Sequence, residues 1–229
     1  MFGMFFDKFQ ANLMGGIFIE EGRTTDGIKA GMEALDTARR ADNAEDIAAR
    51  VPYFCSGCPH NSSTKLPEGS RAYAGIGCHY MVQWMDRETA TYTQMGGEGV
   101  NWIGQAPFTE ENHIFVNLGD GTYFHSGLLA IRQAVAAGVN VTYKILCNDA
   151  VAMTGGQPVD GDLSVANMVA QLKAEGVREV RVVSDDPARH AGLGVEVAHR
   201  DTMQSLQEEI REVPGCTAII YQQTCATEL

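Results

Sequence analysis

The sequence predicts an α/β domain with a mainly parallel sheet and helices on both faces, preceded by an N-terminal helical extension. Two observations predict it. From about residue 70, short runs rich in Val and Ile alternate with stretches of helical spacing about 12 residues long. Such alternation is the mark of strands joined by crossover helices. A glycine closes each helical stretch, the usual stop at a helix C-terminus.

Residues 1–50 are expected to form the extension. The start, "MFGMFFDKFQANLMGGIFIEEG", is apolar and aromatic, but it lacks a basic lead and Asp7 interrupts it early, so it does not read as a secretory signal. "TTDGIKAGMEALDTARRADNAEDIAARV" then has helical spacing, with Ile28, Met32, Leu35 and Ala38 on one stripe and Thr25 or Asp26 as N-cap. The main domain is expected over 51–229. Its strands are read in "RAYAGIG", "HIFVNLGDG", "NVTYKILCND", "VREVRVVSDD" and "CTAIIYQQ". Its helices are read in "SGLLAIRQAVAAG", "LSVANMVAQLKAEG" and "DTMQSLQEEIREVPG". "MGGEGVNWIGQAPF" holds too many glycines for a helix and reads as an active-site loop, with Trp102 lining the pocket or packing beneath it and Glu98 either at the site or solvated. "SDDPARHAG" is explained as a strand-to-helix turn. Ligands of such sheets lie beyond the carboxyl ends of the strands. That makes "GIGCH", "GDGTYFHSG", "NDAVAMTGGQP" and "QQTCATEL" the segments to watch.

Composition narrows the function. Hydrophobic residues make up 45% and charged residues 20%, enough for a normal core. The net charge of −12 speaks against a nucleic-acid or anionic-membrane partner, since both need clustered Lys and Arg. No run of about 18 apolar residues suggests a membrane span. Six cysteines are too few for a disulfide scaffold, and Cys-x-x-Cys points to metal or redox work in a reducing compartment, so a cytoplasmic location is expected.

Gly119-Asp120-Gly121 follows an apolar strand, and its glycines let a phosphate approach the backbone. Asn148 comes 28 residues after Asp120, past the next strand, so one strand-helix-strand unit sets the two turns side by side. A carboxylate, an amide oxygen and a backbone carbonyl are hard ligands suited to Mg²⁺ carrying a diphosphate. The second constellation is Cys55-x-x-Cys58 followed by Cys78, which leaves one thiolate to find among Cys147, Cys216 and Cys225. Topology favours Cys225, which follows the last strand on the ligand side. Zinc and an iron–sulfur cluster both satisfy four cysteines, and the spacing does not choose between them. His60 and His79 flank the cysteines, either as site residues or as partners of backbone groups. Asn61 to Lys65 and Arg71 add donors that suit a carboxylate or phosphate or merely cap a polar loop.

Five blocks in order, "CSGCPHNSSTKLPEGS", "GIGCH", "MGGEGVNWIGQAPF", "GDGTYFHSG" and "NDAVAMTGGQP", resemble the thiamine-diphosphate domain of the 2-oxoacid:ferredoxin oxidoreductases, in particular the fused bacterial indolepyruvate type. The resemblance runs from about Pro52 to Cys225. It implies the thiamine-diphosphate-binding fold, with Asp120, Asn148 and the carbonyl of Ala150 as Mg²⁺ ligands. Gly119, Gly121, Thr154, Gly155, Gly156 and Gln157 would surround the diphosphate, and His125 would either donate to a phosphate oxygen or face solvent at the helix start. It implies a [4Fe–4S] cluster on Cys55, Cys58, Cys78 and Cys225, with "YQQTCATE" supplying the last cysteine, and a choice of iron over zinc because the reaction needs an electron acceptor. His60 and His79 would serve the substrate as proton donors or the cluster as hydrogen-bond donors. The implied activity is oxidative decarboxylation of a 2-oxoacid, such as an arylpyruvate, to acyl-coenzyme A with electrons passed to ferredoxin. The activating glutamate would come from a pyrimidine-binding domain on another segment or subunit, in a dimer or larger assembly. The chain is therefore expected to be one domain of a larger enzyme, inactive alone. A Cys₄ zinc interaction module and a non-oxidative thiamine-dependent decarboxylase are the alternatives.

Overall fold

A computed structural model describes Glu33 and residues 51–228 except 160 and 162. The expected stripe and N-cap of the N-terminal extension lie outside the described residues. Val51–Leu229 is one compact unit.

Six strands form one sheet: β1 Ala72–Tyr73, β2 Ile114–Gly119, β3 Val141–Cys147, β4 Val180–Ser184, β5 Glu196–His199 and β6 Cys216–Gln222, in the order β1-β2-β3-β6-β4-β5. Every neighbouring pair is parallel. The helices are α1 His60–Ser63, α2 Val100–Gln105, α4 Val165–Ala174 and α5 Met203–Ile210. Between α2 and α4 runs one continuous helical stretch, α3, made of Asp120–Thr122, a π-turn over Tyr123–Gly127 and Leu128–Ala137.

The sheet is covered on both faces, as a parallel sheet must be. On one face Val116, Leu118, Tyr143, Ile145 and Ile220 pack against Ile131 of α3 and Leu172 of α4. On the other, Phe115, Leu146 and Tyr221 meet Met203, Leu206 and Ile210 of α5. Each such large apolar side chain contributes about 1.5–3 kcal/mol by leaving water. α3 stops at Gly138, which adopts the left-handed conformation at φ 66° and donates to the carbonyls of Ala134 and Val135.

Four readings change. β5 was not expected: "EVAH" carries no Val/Ile run, and as an edge strand it is largely exposed, so hydrophobicity does not announce it. α5 ends at Ile210, well before Gly215, and Arg211 takes the cap instead. The "MGGEGVNWIGQAPF" segment is not all loop, because Val100–Gln105 is helical once its three leading glycines are past. Only two residues of "RAYAGIG" are strand, and beyond them Gly75 passes so close to β2 that a Cβ would lie 2.1 Å from the Asn117 carbonyl oxygen.

Candidate functional site

The carboxyl ends of β2 and β3 lie side by side, Gly119 opposite Leu146. The turns that follow, together with the segment after β1, line a cavity of about 290 Å³. His60, Cys78, His79, Gly119, Asp120, Gly121, His125, Asn148, Ala150 and Thr154 all line it. Residues read from distant parts of the sequence thus meet in one place. Gly155, Gly156, Gln157, Cys55, Cys58 and Cys225 are not on its wall.

Asp120 ties the two turns together. Its Oδ1 accepts from the Gly121 amide at 2.8 Å, and its Oδ2 accepts from the Asn148 and Asp149 amides at 3.0 and 3.2 Å. Burial nevertheless pushes the carboxyl up from its ordinary value, and the charge of Asp149 adds to that. Among the described residues no Lys or Arg pairs with Asp120. Asn148 stands beside it, its Oδ1 accepting from the Ala150 amide at a long 3.4 Å. Asp149 takes φ 63°, held by Gln222 and Thr224, which donate to its Oδ2. A buried carboxylate and an amide oxygen with no cationic side chain are a donor set that fits Mg²⁺.

The "TGGQ" turn closes on itself. Thr154 donates its hydroxyl to Gln157 Oε1 at 2.6 Å, and Gln157 Nε2 donates back to the Thr154 carbonyl. Gly155 and Gly156 both have positive φ, and a Cβ on Gly156 would strike the Glu228 carboxylate at 2.1 Å. His125 is exposed in the π-turn, within 2.9 Å of the Ser126 hydroxyl.

His60 and His79 stand edge to face with ring centres 5.5 Å apart. Burial pushes His60 down to about 4; burial, then the charges of His60 and Lys144, push His79 down to about 3. Both rings are neutral at neutral pH. Three glycines make room for His79: a Cβ on Gly75, Gly77 or Gly119 would come within 2.6, 2.7 or 3.2 Å of the ring. Its Nε2 is buried without a partner.

The cysteines form a corner beside the cavity. Burial raises the Cys78 thiol to about 11, and the charges of Cys58, Cys225 and Cys55 push the same way. Cys58 is raised by burial first and by Cys55 and Cys225 as well. The 55–58 loop reaches the segment after β6: a Cβ on Gly57 would touch Ala226 at 3.6 Å, and the Cys225 amide donates to the Asn148 carbonyl. Cys147 and Cys216 are buried within β3 and β6 and take no part. Among the described residues no three His, Cys, Asp or Glu side chains are already drawn into metal-ligating geometry. The donor chemistry still fits a four-thiolate centre, since the buried Cys58 and Cys78 thiols, each raised by burial and by neighbouring cysteines, need a cationic centre to ionise.

Other donors are spent locally. Asn61 donates to the Cys55 carbonyl, and Arg71 pairs with Glu111. Trp102 packs beneath, its Nε1 donating to the Asn140 carbonyl. Glu98 is the residue that sequence reasoning left open. It is buried, accepts from the Gly96 amide at 2.7 Å and reaches the Ile76 amide at 3.5 Å, fastening two wall segments together. Its three glycine neighbours were the available signal.

Residues 75–220 match the family model for the thiamine pyrophosphate enzyme, C-terminal TPP binding domain. The indolepyruvate oxidoreductase subunit IorA of Thermococcus kodakarensis is 27% identical over 203 residues, 79% of this chain and 30% of that protein. The subunit of the same name from Archaeoglobus fulgidus is 24% identical over 96% of this chain and 34% of its own length. The chain thus spans about a third of the length of the curated relatives it matches. In fold it is similar to the 2-oxoglutarate:ferredoxin oxidoreductase of Magnetococcus marinus, with a TM-score of 0.60 and 18% identity over 79% of this chain and 66% of that one. Benzoylformate decarboxylase from Polynucleobacter necessarius gives 0.53 and 16% over 76% and 34%. With its parallel sheet and the Asp120–Asn148 turns inside the matched span, this chain belongs to the thiamine pyrophosphate enzymes, as a C-terminal TPP-binding domain.

Proposed function

We propose that this chain is the cofactor domain of a 2-oxoacid:ferredoxin oxidoreductase of the indolepyruvate type, holding Mg²⁺–thiamine diphosphate and a [4Fe–4S] cluster. The observation that carries it is the meeting of Asp120, Asn148, His60, His79 and Cys78 on one cavity wall. The names of the matching relatives support the same reading.

Asp120, Asn148 and the Ala150 carbonyl would hold Mg²⁺. The glycines at 119 and 121 admit the diphosphate, with Thr154 to Gln157 and His125 at its flank. Thiamine diphosphate supplies the nucleophilic carbon and electron sink for decarboxylation, and a four-iron cluster accepts electrons singly, which zinc does not. Neutral His60 and His79 would act as hydrogen-bond donors or acceptors rather than as imidazolium acids at pH 7. Cys55, Cys58, Cys78 and Cys225 would ligate the cluster. Residues 1–50 would be an extension to the 51–229 domain. Coenzyme A, ferredoxin and a pyrimidine-binding domain carrying the activating glutamate complete the reaction, in a dimeric or larger cytoplasmic enzyme.

The test is metal and sulfide analysis on protein purified without oxygen, with thermal shifts on adding Mg²⁺ and thiamine diphosphate. About four irons and four sulfides per chain, as a four-iron cluster requires, should be lost in Cys225→Ala. The thermal shift should vanish in Asp120→Ala and survive in Cys225→Ala. One zinc and no sulfide would overturn the oxidoreductase reading.

A further inference from the structure

Two cations contact the segment between Cys55 and Lys65. Lys144, on β3, is fully buried and donates to the Ser63 carbonyl at 2.8 Å and to Gln207 Oε1 at 3.2 Å. Its ammonium lies 5.5 Å from the centre of the Phe115 ring. Arg87 donates to the carbonyls of His60 and Asn61 and to the Thr64 hydroxyl, and it rests over the ring of Phe54, next to Cys55. Among the described residues neither cation makes an ion pair with a carboxylate, in a chain whose net charge is −12. Burial and then the charge of Arg87 lower the tendency of Lys144 to hold charge, burial lowers that of Arg87, and His79, next to Cys78, feels the charge of Lys144.

A buried cation satisfied only by carbonyl and amide oxygens is an unfavourable arrangement unless an anion stands nearby. Asn117, opposite Lys144 in the β2–β3 register, is also buried with neither side-chain polar atom partnered. The charge that this layer lacks is negative, and the cysteine corner is where such charge would gather.

We propose that Lys144, seconded by Arg87, is the buried counter-charge of the anionic centre held by Cys55, Cys58, Cys78 and Cys225, and that it raises the reduction potential of that centre. The inference rests on the cluster assignment above. Reduction adds one negative charge, so a fixed cation nearby favours the reduced state. Lys144 is a positioning residue here: it touches no substrate and acts through the field it sets.

The test is an EPR-monitored redox titration of this chain, purified without oxygen, as wild type, Lys144→Met, Lys144→Arg and Arg87→Met. Lys144→Met should titrate at more negative potential, by about 59 mV if the one-electron equilibrium changes tenfold. Lys144→Arg should stay near wild type, and Arg87→Met should shift the same way by less, because water reaches that side chain. An unchanged potential in Lys144→Met at full iron and sulfide content overturns the inference and leaves the cluster reading standing. If Lys144→Met fails to fold or loses its iron, Arg87→Met decides, and no shift there overturns the inference. A wild-type chain without iron or sulfide overturns the cluster reading, and the counter-charge with it.

Discussion

The two faces of the sheet are built from different chemistry. Under α3 and α4, Val116, Leu118, Tyr143, Ile145 and Ile220 form an apolar layer roofed by Ile131, Met168 and Leu172. Under α1 and α5 the same strands turn Thr142, Lys144, Asn117 and Thr217 inward, all fully buried. Thr142 and Thr217 share a hydrogen bond of 2.7 Å, and His113 Nε2 stands 2.7 Å from Thr142 Oγ1. Strand alternation places these residues one position apart from the apolar ones. The second face leads up to His79 and the cysteine corner. Both faces bury apolar side chains, but only the second also carries polar groups toward the site, at a cost in stability.

The largest effect should come from the apolar face. Trp102 is buried there, edge to face with Tyr73, and anchored through Asn140. Trp102→Ala should cost about 3–5 kcal/mol in urea denaturation. A loss below about 1 kcal/mol would break the division of labour between the faces.

A middling effect is expected from His113 on the polar face. Burial, and then the charge of Arg211, push it down to about 4. The folded chain therefore binds fewer protons than the unfolded chain between pH 6.5 and 4. Stability should fall as pH drops through that window, by on the order of 2 kcal/mol from this group. His113→Gln should show a shallower loss between pH 7 and 4 than wild type. Parallel profiles would mean that His113 takes up its proton as readily in the folded chain as in the unfolded one.

These predictions also mark what the sequence made legible. Five strands, three helices and the post-strand segments could be read because Val/Ile runs and helical spacing are local signals. So could Asp120, Asn148 and the cysteine pair, since glycines and metal-ligand types stand out beside strands. β5 could not, because an exposed edge strand needs no apolar run. Glu98 was legible only in part: its glycine neighbours mark a tight turn, but its contact with the Ile76 amide forms only in the folded chain. Lys144 was hidden inside "VTYKIL" for the same reason: its partners Ser63 and Gln207 lie far off in the sequence, on α1 and α5, which close over it.

Lys144 also gives the smallest predicted effect, and the one that separates the faces most sharply. Lys144→Met in the chain without its metal centre removes two hydrogen bonds and leaves Ser63 and Gln207 with unmet acceptors, a loss of about 1–3 kcal/mol. It also removes a buried, uncompensated charge, a gain of about 1–4 kcal/mol. The two nearly cancel, so the net change at pH 7 should stay within about 1 kcal/mol. Its pH dependence carries the sign. Burial, then Arg87, push Lys144 down to about 7 from an ordinary 10.5, so between those values the unfolded chain holds the proton that the folded chain has lost. Wild type should therefore gain stability relative to Lys144→Met as pH rises from 7 toward 10. Denaturation of both proteins at pH 7 and 9.5 measures it. A gap that stays constant would mean that the ammonium keeps its proton in the fold, held by an anion already present beside it.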